Sequence, residues 1–123
     1  MREAKILVVE DDDDIRDSLK ELLEEEGYQV DTAANGEQAL NRLRGEAPQL
    51  ILLDLMMPVM DGWEFRRHQK ADPEMSQVPV IVLSALDQGR AAGLDPAAFL
   101  KKPLDFDRLL QLVRHYCSDG LHH

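Results

Sequence analysis

An α/β fold, a parallel sheet with helices on both faces, is predicted by three observations. Short, wholly apolar, branched runs recur along the chain: Ile6-Leu7-Val8-Val9, Leu50-Ile51-Leu52-Leu53 and Val80-Ile81-Val82-Leu83. Such runs read as strands buried on both faces, which parallel sheets require. The segments between them carry apolar residues at helical spacing, so strand and helix alternate. Finally, 123 residues with 44% hydrophobic and 31% charged content suit one core that folds without staples.

Each element can be justified in turn. Ile6–Val9 is the first strand. Ile15, Leu19, Leu22 and Leu23 then form one helical stripe, which Asp13 or Asp14 can cap and Gly27 can end. Tyr28 to Ala33 is a weaker strand. Gly36 to Arg44 is a second helix with Ala39, Leu40 and Leu43 facing in. Pro48 breaks the chain before the strand at Leu50. Asp61 caps a third helix reaching Ala71, and Asp72-Pro73 stops it. Val78 to Leu83 is the fourth strand, with Pro79 near its start, where a strand tolerates proline. Phe99-Leu100 marks a short fifth strand. Asp105 opens a last helix with Phe106, Leu109, Leu110, Val113, Tyr116 and Cys117 on its inner stripe.

The stretch between Leu86 and Ala98 fits poorly. Gly89 and Gly93 each cost a helix about 1 kcal/mol relative to alanine, and Pro96 costs more. At most a turn or two of helix is predicted there, in the least stable element of the fold. The domain is read as residues 1–119, with a disordered tail at 120–123 whose His pair resembles a tag remnant. Cys117 onward reads as fraying.

Charge narrows the function. Lys plus Arg is 14 and Asp plus Glu is 24, a net of −10. That balance disfavours a nucleic-acid binder and an anionic membrane surface. No apolar run spans a bilayer, and the lone cysteine, Cys117, fits a reducing compartment, so a cytoplasmic location is expected. The acids are uneven: residues 1–31 hold 12 acids against 4 bases. Glu10 to Asp14 are five carboxylates in a row, which repel one another.

In open parallel sheets ligands bind beyond the carboxyl ends of the strands. The first strand here runs into Glu10-Asp11, the third into Asp54, the fourth into Ser84 and the fifth into Lys101-Lys102-Pro103. Two like charges ~4 Å apart cost about 4 kcal/mol at an effective dielectric of 20, so a cluster of Glu10, Asp11 and Asp54 calls for a cation. A hard divalent ion such as Mg²⁺ suits oxygen ligands. Carboxylate, Mg²⁺, the Ser84 hydroxyl and Lys102 together suit phosphoryl transfer, in which a carboxylate can be the nucleophile. Asp12, Asp13 and Asp14 read as caps and solvated charges, Lys101 as solvent-facing, His68 and His115 as surface, and Trp63 as helix surface or partner face.

At this point a resemblance is plain. Val8-Val9-Glu10-Asp11-Asp12, Leu52 through Gly62, Val82-Leu83-Ser84-Ala85 and Lys101-Lys102-Pro103 match, in order and spacing, the motifs of the response regulator receiver domain of two-component signalling. The chain is similar to that family over essentially its whole length. The resemblance implies a doubly wound (βα)5 three-layer sandwich of the flavodoxin-like kind. Its sheet order would be 2-1-3-4-5, with a short or irregular fourth helix. It implies Asp54 as phosphoacceptor and Mg²⁺, or Mn²⁺ in its place, held by Glu10, Asp11, Asp54 and the backbone carbonyl of Met56. Ser84 becomes the switch hydroxyl, Lys102 the lysine that pairs with the phosphoryl group, Phe99 the switch aromatic and Pro103 a cis proline. The module would act on itself alone, catalysing only its own phosphorylation and dephosphorylation. Its donor would be a sensor histidine kinase or histidine phosphotransfer protein, its target another protein, and its state a monomer or weak dimer.

Two departures from the pattern matter. Ser84 to Phe99 is shorter than usual by about one helical turn, which puts the usual output face in doubt. Met56 and Leu86 are apolar where the family tunes hydrolysis, so a long-lived phosphoryl group is expected. A scaffold that is never phosphorylated is the alternative function, and an Asp-nucleophile phosphatase a third, for which 123 residues leave no room for a substrate cap.

Overall fold

The computed structural model describes residues 4–117. Five strands form one sheet in the order β2-β1-β3-β4-β5, every pairing parallel. They are β1 (Lys5–Val9), β2 (Gln29–Ala33), β3 (Leu50–Asp54), β4 (Val80–Ser84) and β5 (Ala98–Lys101). Four α-helices alternate with them: α1 (Asp13–Glu25), α2 (Gly36–Gly45), α3 (Gly62–Ala71) and α4 (Phe106–Cys117). Where a fourth of five helices would stand, Gln88–Leu94 forms only a 3₁₀ segment. This is the order that the resemblance implies, with the irregular fourth element that Gly89, Gly93 and Pro96 lead one to expect.

The apolar strands explain the layers. All five residues of β3 and of β4 are buried, because both faces of these central strands are covered. Leu7, Val9, Ile51 and Leu53 pack with Ala39, Leu40 and Phe65 on the α2 and α3 side. Ile6, Val8, Leu50 and Leu52 pack with Leu19, Leu23, Leu109 and Val113 on the α1 and α4 side. The alternation is the pleat itself.

Several local expectations are corrected. Asp12, rather than Asp13 or Asp14, caps α1: its Oδ1 accepts from the amides of Asp14 (2.9 Å) and Ile15 (3.0 Å). Gly27, at φ 96°, takes the left-handed turn after α1, as its place predicts. β4 begins at Val80, after Pro79, whose carbonyl still accepts from Ile51. Phe106, placed on the inner stripe of the last helix by its spacing, is 43% exposed. It is the first residue of α4, and the turn that Asp105 caps carries it clear of the core. Cys117 is no frayed end: it closes α4 and is buried. The tail at 120–123 lies outside the described residues. Among these, no helix is long and apolar enough to cross a membrane.

Candidate functional site

The register of the sheet builds the site. Val9 pairs with Leu53, so the next residues, Glu10 and Asp54, emerge side by side at the carboxyl edge. Both are buried, at 0% and 4% exposure, whereas Asp11 is exposed. One carboxylate oxygen from each of Glu10, Asp11 and Asp54 lies within 4.8 Å of the other two. Gly62 holds the end of β3 in place from behind. A Cβ there would stand 2.7 Å from the Asp54 carbonyl, so no other residue lets α3 start this close.

Lys102 answers the negative charge. Its backbone amide donates to the Ser84 carbonyl at 2.8 Å, which fixes the loop after β5. Its Nζ lies 2.8 Å from Glu10 Oε1 and 3.6 Å from Asp54 Oδ2. Glu10 keeps its other oxygen on the Asp12 amide, at 3.1 Å. Burial, and then the neighbouring Glu10, push the Asp54 carboxyl up from 3.8 to about 7; Lys102 and the Met56 amide only partly offset this. Burial works against the Lys102 ammonium, but its hydrogen bond to Glu10 and the charges of Asp54 and Glu10 outweigh burial and raise its pKa. The site thus holds more carboxylate than one lysine neutralises. Three hard oxygen donors at this separation fit a small divalent cation.

The other predicted residues divide. Ser84 is fully buried at the end of β4, one residue past the Leu83 that pairs with Asp54, and its Oγ accepts from the Leu86 amide at 3.0 Å. Met56 sits two residues beyond Asp54 and is 58% exposed. The Lys102-Pro103 bond is cis. Phe99 is half-buried on β5, opposite Val82, and packs on the α2 and α3 side of the core. Lys101 faces solvent and pairs with Asp87 at 2.8 Å.

Four residues escape a reading by motif. Arg16 donates to the Glu10 carbonyl at 2.9 Å and pairs with Asp13, relieving the acidic run from within α1. Arg66 and Gln69 are buried polar residues on α3, and Trp63 donates from its indole to the Arg90 carbonyl at 3.1 Å. Arg16, two residues after an acidic run, carries a signal in the sequence, and Trp63 is read there only as helix surface or partner face.

Comparison with known proteins agrees with this geometry. A family model described as the response regulator receiver domain matches residues 6–114. The chain is 39% identical over 121 residues to an uncharacterized 14.6 kDa protein of Leptolyngbya boryana, covering 95% of this chain and 92% of that one. It is 39% identical over 115 residues to the response regulator MprA of Mycolicibacterium vanbaalenii, covering 90% of this chain but 49% of that protein. The chain therefore spans about half the length of that curated response regulator. Among solved structures, the signal receiver domain of a signal transduction histidine kinase from Syntrophus aciditrophicus superimposes with a TM-score of 0.88 at 33% identity, over 98% of this chain and 94% of that one. The receiver domain of a sensor histidine kinase from Pseudomonas aeruginosa, which has a magnesium ion coordinated in its active site cleft, superimposes with a TM-score of 0.87 at 27% identity, over 96% and 100%. Motifs, sheet order, carboxylate cluster and matched relatives converge: this chain belongs to the response regulator receiver domain family of two-component signalling.

Proposed function

We propose that the chain takes a phosphoryl group onto Asp54 from the phosphohistidine of a partner kinase or phosphotransfer protein and changes its protein contacts in response. The observation that carries this reading is the trio of Glu10, Asp11 and Asp54 with one ammonium, Lys102, set against it. An oxygen of Asp54 attacks phosphorus, the phosphorus–nitrogen bond breaks, and the imidazole leaves with the bonding pair and takes up a proton. Attack needs Asp54 ionised. Burial and the neighbouring Glu10 hold its carboxyl near neutrality, so nearby positive charge supports the reaction before any bond forms.

Glu10, Asp11, Asp54 and the Met56 carbonyl would hold Mg²⁺, for which Mn²⁺ can substitute, and the ion supplies charge neutralisation for the oxygens in transfer. Lys102 then moves its ammonium from Glu10 toward the phosphoryl oxygens, and Ser84 turns its hydroxyl to donate to one of them. Phosphorylation adds roughly −1.5 to −2 charges and three acceptors, which is what both groups respond to. Phe99 follows into the space that Ser84 and its loop leave. Met56 and Leu86 offer no group to orient an attacking water, so the acyl phosphate is long-lived. A groove of about 340 Å³ between α1 and the loop after β5, lined by Ile15, Ser18, Pro103, Leu104 and Phe106 beside Lys102, offers the partner a seat next to the acids. The reaction belongs in the cytoplasm, where such donors work.

Intact mass after incubation with acetyl phosphate and Mg²⁺ tests this reading. One phosphoryl adduct is expected on the wild type, none on Asp54→Asn, and none with a chelator. A folded wild type that stays unmodified even with histidine phosphodonors would favour a scaffold that is never phosphorylated. Loss of the adduct within seconds would contradict the assigned roles of Met56 and Leu86.

A further inference from the structure

Arg66 is a buried charge that the phosphoryl chemistry leaves unused. Its Nε donates to the Leu94 carbonyl at 2.9 Å, its Nη2 to the Asp95 carbonyl at 2.8 Å and its Nη1 to Gln69 Oε1 at 2.7 Å. Gln69 extends the clasp, donating from Nε2 to the carbonyls of Met75 (2.9 Å) and Val78 (3.1 Å). The two Arg66 bonds to carbonyls take hold of the far end of the 3₁₀ segment, and Gln69 anchors Arg66 to the chain before β4. The segment has little to hold itself: Asp87 gives it no side-chain cap, and Asp95 closes it in the left-handed conformation at φ 51°.

Its near end is tied differently. The Leu86 amide donates to Ser84 Oγ, the hydroxyl assigned to the phosphoryl group. Between the two ends, the Trp63 indole donates to the Arg90 carbonyl. A Cβ at Gly89, next to Arg90, would meet nothing within 4 Å, so the backbone ahead of the buried Ala91 has room to shift. The other tie, Asp87 to Lys101, is exposed and weak.

We propose that Arg66 is a positioning residue: it pins Leu94 and Asp95, confines the movement begun at Ser84 to Leu86–Arg90, and so directs it onto the Trp63 indole, which loses the Arg90 carbonyl. The inference rests on the acceptor reading of Asp54. When Ser84 turns toward a phosphoryl group, the Leu86 amide loses its acceptor and must follow or find another. β4 cannot slide, because β3 and β5 pair with it on both sides. The far end is clasped. The displacement is therefore taken up around Gly89, ahead of the buried Ala91, and there the indole N–H is the side-chain tie from α3. Through it the site reaches α3, in place of the missing fourth helix.

The chain has a single tryptophan, so one indole N–H resonance reports the joint. The test is the full chain with Mg²⁺, with and without beryllofluoride, followed by ¹⁵N NMR, beside the acetyl phosphate adduct by mass. The indole resonance should move and its N–H exchange should quicken by about five- to tenfold. In Arg66→Lys, whose single ammonium cannot serve two carbonyls and Gln69 at once, the indole response should shrink at least about twofold, with the adduct unchanged. An adduct with an unmoved indole overturns the proposal, as does an equal indole response in Arg66→Lys. Absence of any adduct overturns the acceptor reading itself, and this inference with it. Should Arg66→Lys not fold, wild-type amide exchange decides. Changes confined to 86–90, with 94–97 steady, support the pin, and changes spread across both overturn it.

Discussion

Two regions meet at one edge of the sheet and are held in opposite ways. The ends of β1 and β3 are set by main-chain pairing, so Glu10 and Asp54 arrive side by side because Val9 faces Leu53. The connection from β4 to β5 has no such ladder. Side chains of α3, namely Trp63 and Arg66, hold it through carbonyl oxygens, and Gln69 braces Arg66 from the α3–β4 connection. The first region is rigid and electrostatically uncomfortable. The second is electrostatically satisfied and mechanically loose. A switch needs both: a place where charge accumulates, and a place that can yield when the charge changes.

The comparison can be broken first on the charged side. The Asp54 carboxyl is held at about 7 in the fold against an ordinary 3.8. A group whose folded value is raised contributes stability that is complete below about pH 4 and is lost as pH rises through about 7. Asp54→Asn should therefore match the wild type near pH 4 and exceed it by up to about 4 kcal/mol above pH 7, in chelator, by urea denaturation. Mg²⁺ should close that gap. Parallel curves from pH 4 to pH 8 would mean that the carboxylates are not in conflict.

On the loose side the sign reverses. Arg66→Met should cost about 3 kcal/mol, because the buried Leu94 carbonyl, the part-buried Asp95 carbonyl and Gln69 lose their donor. That loss should be flat with pH, measured in the same way. Smaller changes sharpen the contrast. Asp12→Ala removes the α1 cap and should cost about 1 kcal/mol in thermal or urea unfolding, without abolishing the Asp54 adduct. Lys101→Ala breaks only the exposed pair with Asp87 and should leave the unfolding midpoint where it was.

The same contrast explains what could be read from the sequence. Whatever the sheet positions was legible: apolar runs mark the strands, and Glu10, Asp54 and Ser84 stand at their ends. Asp61 was legible as a cap for the same local reason, accepting from the Glu64 amide at 2.9 Å. The clasp was not. Arg66 and Gln69, three apart on a helix, carry no motif, and only the tertiary packing around α3 buries them. The Phe106 spacing suggested core, but the stripe starts only at Leu109, once the helix has turned inward. Which of three adjacent aspartates caps α1 depends on where the backbone turns, and that turn is set by Glu10 accepting from the Asp12 amide.

The central claim is that, among clustered carboxylates, Asp54 alone takes the phosphoryl group. Borohydride reduction of the phosphorylated chain, followed by peptide mapping, tests this most directly, because an aspartyl phosphate is reduced to homoserine where it forms. The account predicts homoserine at position 54 and unchanged Glu10 and Asp11. A reduced residue at 10 or 11 with an intact Asp54 would contradict it.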